Sequence, residues 1–404
     1  MQLIDILVLL ISFLSSLFAI SKTIFIAKKK NLFDEPSEQR KVHTTKTPNL
    51  AGVAIYSSFA FTVTLFYSFY GPIEYSHILI AASIIIFFTG LTDDLSAISP
   101  YNKLAGQLVA ALILCFFTDL RLTSLYGIFG IEQLPYYASI VITTIVIIFI
   151  INAYNLVDGI NWLAGSLGLL AVLCYSYIFF TVGLTGFFLM SIVLCATLVS
   201  FLFFNKTPAK IFLGDSGSLF IGFCVAICSL KFLSFASVSD QWSNTFINAP
   251  AIVCAILITP IMDTLRVFII RVLNKKSPFA ADKNHLHHLL LNAGYSHMQS
   301  TGVIILSAVP AILLTLFFHA PLGFAIMLSL ISTTLMYLLI YISTRRQATT
   351  ISSSQLQTEP AGKLVVVEFK KLAASVFQEE STEQKSTAGT KRHDIFPGQP
   401  SSTN

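Results

Sequence analysis

Through the first 345 residues, long apolar runs alternate with short polar segments. Stretches free of Asp, Glu, Lys and Arg cover 47–73, 75–92, 104–118, 133–157, 159–205, 216–230, 241–262 and 284–344. A helix needs about 20 mostly apolar residues to cross a bilayer. The run 159–205 must therefore hold two spans, and 284–344 two more behind a histidine-rich lead. With one N-terminal span, the pattern predicts about eleven transmembrane helices, near 3–21, 51–70, 77–92, 103–118, 136–157, 162–181, 185–204, 212–236, 249–270, 300–319 and 321–343. The expected fold class is an all-α polytopic integral membrane protein. The start MQLIDILVLL has no basic leader and no Ala-x-Ala site follows it, so the first run reads as a retained helix.

The pattern stops at residue 346. Ser, Thr, Gln, Glu and Lys dominate 347–404, which reads as a mostly disordered tail. One stretch in it, Lys363 to Phe377, reads as a short strand or a surface helix. The chemistry is expected in a transmembrane domain, 1–346.

Composition narrows the class. Hydrophobic residues make up 55% of the 404 and charged residues 11%, against about 25% charged in a soluble domain. That excludes a soluble globular protein, a disordered chain and a nucleic-acid binder. The six cysteines all lie in apolar runs and read as small core residues. No internal repeat is evident, which weakens an inverted-repeat transporter.

The net charge of +5 matters less than its placement. Lys28, Lys29, Lys30, Arg40, Lys41 and Lys46 fill the first loop. Lys206 and Lys210, then Arg266, Arg271, Lys275, Lys276 and Lys283, then Arg345 and Arg346 follow at every second loop. The alternate loops hold only Arg121. The positive-inside rule then puts the N-terminus outside and the C-terminal tail in the cytoplasm.

Carboxylates beside apolar spans are costly, about 2.5–3.5 kcal/mol each at mid-bilayer on insertion scales. Here Asp93, Asp94, Asp158, Asp215 and Asp263, with His285, His287 and His288, all fall at span ends assigned to the cytoplasm. The expectation is a cytoplasmic-face active site. Asp93 and Asp94 point about 100° apart on a helix and serve different partners; the plain alternative is a solvated turn. Lys103 and Gln107 are i,i+4 neighbours nearby. Asn152, Asn155 and Asp158 recur every three residues and share a helical face. Such oxygen donors suit Mg²⁺, and helix capping is the alternative. In Gly214-Asp215-Ser216-Gly217, two glycines flank Asp-Ser before a span. That turn offers backbone N–H groups to a phosphate beside a carboxylate, or simply an N-cap Asp. His285, His287 and His288 lack the cysteines or HExxH spacing of a zinc site, and contact with a diphosphate is the better reading.

These motifs, in this order, resemble the polyprenyl-phosphate N-acetylhexosamine-1-phosphate transferases over roughly residues 1–345. The segment Asp34-Glu35-Pro36 through Gly52 and the His-Leu-His-His form look most like the N-acetylglucosamine-1-phosphate branch. The resemblance implies transfer of N-acetylhexosamine 1-phosphate from a UDP-N-acetylhexosamine to undecaprenyl phosphate in a bacterial inner membrane, with UMP released. It implies Mg²⁺ as cofactor, with Mn²⁺ as a substitute, held by Asn155 and Asp215. It implies Asp93, Asp94, Asp158 and His285 as catalytic groups, and Lys103, Asn152, Arg271, His287 and His288 as substrate-binding ones. A homodimer is an assembly open to it. The chain departs from the family's Asp-Gly-Ile-Asp-Gly at Asp158-Gly159-Ile160-Asn161-Trp162, which puts the identity of the sugar in question. A transporter of a phosphorylated solute and an inert membrane scaffold are the alternatives from other classes.

Overall fold

A computed structural model describes residues 3–33, 47–71, 73–127, 130–238, 248–275 and 285–317, with six further helical positions between 327 and 342. The helices are α1 (Leu3–Lys30), α2 (Ala51–Phe66), α3 (Ser76–Leu95), α4 (Pro100–Phe117), α5 (Tyr136–Leu156) and α6 (Leu163–Thr181). They continue with α7 (Thr185–Asn205), α8 (Gly214–Val238), α9 (Ala249–Leu273), α10 (Leu286–Asn292) and α11 (His297–Phe317). All but the short α10 are long and apolar enough to cross a membrane, ten helices among the described residues. The expected eleventh span, 321–343, lies outside the described residues apart from those six positions. So do the expected tail and most of the basic first loop.

Two boundaries differ from the sequence expectation for physical reasons. α1 runs on to Lys30 instead of ending near 21; just past that point Lys22 lays its ammonium over the Phe18 ring one turn back, 5.3 Å from the centroid, and the apolar Ile24, Phe25 and Ile26 continue the helix. α4 begins at Pro100 because Ser99 Oγ accepts the Asn102 N–H at 3.2 Å and proline suits the first helical position.

α8 is the centre of the bundle: 83% of its most apolar 18 residues are buried, against 28% for α1, α3 and α4. It packs against α2, α3, α5, α6 and α9. The outer helices turn large apolar side chains such as Phe18, Phe61 and Phe88 outward, as a lipid-facing surface requires. Small residues let α2 and α3 reach α8 backbone to backbone. A Cβ on Gly52 would collide with the Gly217 nitrogen, and one on Gly90 would sit 2.5 Å from Ser216 Cα. Close approach of this kind is how helices associate where lipid removes the usual apolar drive.

The up-and-down order gathers the ends of α3, α5 and α9 with the starts of α4 and α8 at one end of the bundle. The opposite end is closed by its own polar contacts. Tyr70 donates to Asp5 at 2.5 Å, Lys231 pairs with Glu74 at 2.5 Å, and Tyr126 donates to the Leu233 carbonyl at 2.7 Å.

Candidate active site

The site is built around the start of α8. The chain entering α8 pairs with the chain entering α2: Phe212 N–H donates to the Pro48 carbonyl at 2.8 Å, and Gly52 N–H to the Leu213 carbonyl at 3.0 Å. Gly214, at φ +76°, then turns the backbone into the helix. A fresh N-terminus leaves unpaired N–H groups and a positive dipole end. Asp94 of α3 answers both. Its carboxylate accepts the Asp215 N–H at 2.7 Å, the Ser216 N–H at 3.0 Å and the Ser216 hydroxyl at 2.5 Å. Asn49 adds a fourth donor at 3.3 Å. This corrects one sequence expectation. The turn does not offer these two N–H groups to a phosphate, because a carboxylate of the chain itself fills that place. Asp94, expected among the catalytic groups, has both oxygens engaged in holding α8.

With α8 fixed, Asp215 meets Lys103 and Asn155. The Lys103 ammonium donates to Asp215 at 2.6 Å, to Asp93 at 3.0 Å and to the Asn155 side-chain oxygen at 3.2 Å. An ammonium has three donors, and all three are engaged. Lys103 therefore links the carboxylates of α3 and α8. Asp93 is steadied from its other oxygen by the Ile98 N–H at 2.9 Å. The Asn155 amide donates to Asp215 at 2.5 Å and to Ser218 at 2.9 Å. One turn back, Asn152 and Gln107 exchange amide hydrogen bonds at 2.6 and 3.3 Å, which spends the Asn152 side chain on joining α4 to α5.

Asp158 ends the polar face of α5 and differs from its neighbours. Its half-buried carboxylate makes no hydrogen bond among the described residues. Burial, and then the charges of Asp215 and Asp94, push its pKa well above the ordinary carboxylate value. Beside it, His287 Nε2 lies directly against Gly159, where any Cβ would collide with the ring. Among the described residues that nitrogen has no hydrogen-bond partner. Burial, then the nearby His288, lower the His287 pKa to about 3, so the ring is neutral.

His287 belongs to a second cluster. The rings of His285 and His287 stack at 5.7 Å, and His288 tilts against His287 at 4.3 Å. Asp263, buried on α9, accepts from the Leu286 N–H at 2.9 Å and from Arg266 at 3.1 Å, and its other oxygen lies 2.9 Å from His285 Nδ1. Arg271 is buried two turns further along α9, its guanidinium 5.9 Å from the Phe268 ring centroid.

Residues 76–233, which contain the whole carboxylate cluster, match the model of glycosyl transferase family 4. A probable undecaprenyl-phosphate N-acetylglucosaminyl 1-phosphate transferase of Bacillus subtilis is 34% identical over 282 residues, 70% of this chain and 75% of that protein. The chain belongs to glycosyl transferase family 4. A decaprenyl-phosphate N-acetylglucosaminephosphotransferase of Mycolicibacterium smegmatis is 32% identical over 295 residues, 66% of this chain and 71% of that one. An undecaprenyl-phosphate alpha-N-acetylglucosaminyl 1-phosphate transferase of Escherichia coli K12 is 28% identical over 290 residues, 70% and 75% of the two chains.

Against this family background, the structure brings Asp93, Lys103, Asn155 and Asp215 into one hydrogen-bonded group, with Asp158 beside them. His285, His287 and His288 form a group that touches the first through Gly159. Sequence reasoning assigned no role to Asn49, Ser216, Ser218 or Asp263. Only Asp263 carried a signal, as an acid inside an apolar span. The departure at Asn161-Trp162 changes a loop. Asn161 donates to Thr207 at 3.0 Å, and the Trp162 indole donates to the Leu202 carbonyl at 2.7 Å. Trp162 sits at φ +74°, a region that favours glycine, the residue the family often has there.

Proposed function

We propose that the chain transfers N-acetylglucosamine 1-phosphate from UDP-N-acetylglucosamine to undecaprenyl phosphate, with Mg²⁺, at the cytoplasmic face of a bacterial inner membrane. The observation that carries this reading is the charge balance of the site. One ammonium, Lys103, binds two carboxylates, and a third, Asp158, stands unpaired next to them. Such a site repels a diphosphate until a cation enters.

The donor set suits that cation. Among the described residues no three His, Cys, Asp or Glu side chains form a ready-made cage. Mg²⁺ commonly takes one or two protein oxygens and completes its octahedron with phosphate and water. Asp215, Asn155 and the unpartnered Asp158 would hold it. When bound, Mg²⁺ neutralises charge on the diphosphate and polarises the phosphorus under attack.

The protein's own part is positioning. A phosphate oxygen of the lipid attacks the β-phosphorus of the UDP-sugar. The bond from that phosphorus to the bridging oxygen breaks, and UMP leaves. Lys103 keeps Asp93 and Asp215 together, so that Asp93 faces the incoming lipid phosphate. On this reading His285 meets the nucleotide phosphates. A solute carrier would hold its acids near mid-bilayer, whereas these lie at helix ends. Purified protein should release UMP only when UDP-N-acetylglucosamine and undecaprenyl phosphate are both present. UMP release without the lipid, or none with both, would defeat the reading.

A further inference from the structure

The second cluster holds an acid that the reaction above leaves unused. Asp263 lies on α9 with 3% of its surface exposed. A charge so deep in an apolar span is retained for a reason. Its Oδ1 accepts the Leu286 N–H at 2.9 Å and an Arg266 N–H at 3.1 Å. Its Oδ2 meets His285 Nδ1 at 2.9 Å. With a guanidinium and a backbone N–H already donating to it, Asp263 is the anionic, acceptor-only carboxylate, so His285 Nδ1 must carry the hydrogen.

We infer that Asp263 is a positioning residue for the transfer, holding His285 by its Nδ1–H so that the opposite nitrogen is turned to the site, where the ring, once protonated, donates Nε2–H to the substrate's phosphates. The inference rests on the transferase reading for its kinetic part only. Two features support it. The same carboxylate ends the turn before α10, so it fixes where the His285 backbone sits as well as how the ring is turned. The His285 ring then stacks on His287, whose far nitrogen abuts Gly159, the residue after Asp158. An imidazole tilted by lost support at Asp263 would shift against that stack and disturb the ring that abuts Gly159. In Ser-His-Asp sites a carboxylate holds an imidazole in one tautomer in the same way, and an amide in its place costs up to about 10⁴ in turnover. Here the ring contacts phosphate and is not asked to shuttle a proton, so a smaller loss is expected.

The test uses the full chain in detergent or nanodiscs. Nitrogen-15 spectra of histidine-labelled protein, with His285 assigned through His285→Gln, should show hydrogen on Nδ1. Asp263→Asn should lower UMP turnover at least tenfold, and Asp263→Glu should recover part of it. In a His285→Gln background, Asp263→Asn should cost less than twofold. An Nδ1 without hydrogen in the wild type, or an equal loss in both backgrounds, overturns the inference. The spectrum decides the matter even if Asp263→Asn fails to fold. A wild type that releases no UMP would instead count against the transferase reading, and leaves the spectral result standing.

Discussion

Asp94 on α3 accepts the backbone N–H of Asp215, 121 residues later, at 2.7 Å. The residue proposed to hold the cation therefore owes its place to a carboxylate from another span. The same plan recurs at Asp263, which accepts the Leu286 N–H beside His285. In both cases the acid sits on a long, packed helix, and the group it secures starts a new one.

Asp94→Ala is thus expected to harm folding and turnover together. Two N–H groups and a hydroxyl lose their acceptor, and each such loss costs about 1–3 kcal/mol when buried. Thermal unfolding in detergent should show a clearly lower midpoint, alongside a loss of UMP release. An unchanged midpoint would mean that water replaces the carboxylate at no cost.

Asp158 should behave the opposite way. Its raised pKa means that the folded chain holds a proton there that the unfolded chain has released, in the window from the ordinary carboxylate value up to the raised one. Stability without metal therefore falls as pH rises through that window. Asp158→Asn should remove this fall, melt higher than wild type in chelator at neutral pH, and lose turnover. Mg²⁺ should raise the melting point of the wild type more than that of the variant. A variant that melts lower in chelator would contradict the unpaired-carboxylate account.

His287 gives a separate pH signature. Its pKa drops to about 3 in the fold, from 6.5. The unfolded chain takes up a proton below about 6.5 that the folded chain refuses. Its contribution is complete above that pH and declines as pH falls, by up to about 1.4 kcal/mol per unit. His287→Gln should flatten stability between pH 6.5 and 5. The same slope in the variant would assign the acid limb to other groups.

Glycine contacts supply an internal control. Gly90→Ala places a methyl 2.5 Å from Ser216 Cα, backbone that cannot move aside. A loss of about 1–3 kcal/mol is expected from overpacking. Gly302 on α11 has open space around its position, so Gly302→Ala should gain about 0.5–1 kcal/mol through helix propensity. Similar melting shifts for both would rule out close packing of α3 on α8.

Much of this was legible in the chain because a membrane is a strict solvent. Charge-free runs located nine of the ten described spans, the N-terminal one being added to them, and acids at span ends flagged Asp93, Asp94, Asp158, Asp215 and Asp263. What the runs do not encode is which polar group meets which. Nothing in Asp93-Asp94 says that the first faces Lys103 and the second caps α8; that follows from a crossing set by Gly52 and Gly90. That Lys103 meets three acceptors from three other helices is likewise not visible along one helix. The partner of Asn161, Thr207, lies 46 residues away and is equally invisible along the chain.

The central claim is that Asp215 and its neighbours act by holding a divalent cation for phosphoryl transfer. The direct measurement is UMP release by purified wild type and Asp215→Ala across a Mg²⁺ titration, with and without chelator. Loss of a charged ligand should cut turnover at least about a hundredfold, roughly 2.7 kcal/mol in the barrier, and chelation should silence the wild type reversibly. Near-normal turnover by the variant, or wild-type activity that persists in chelator, would contradict the account.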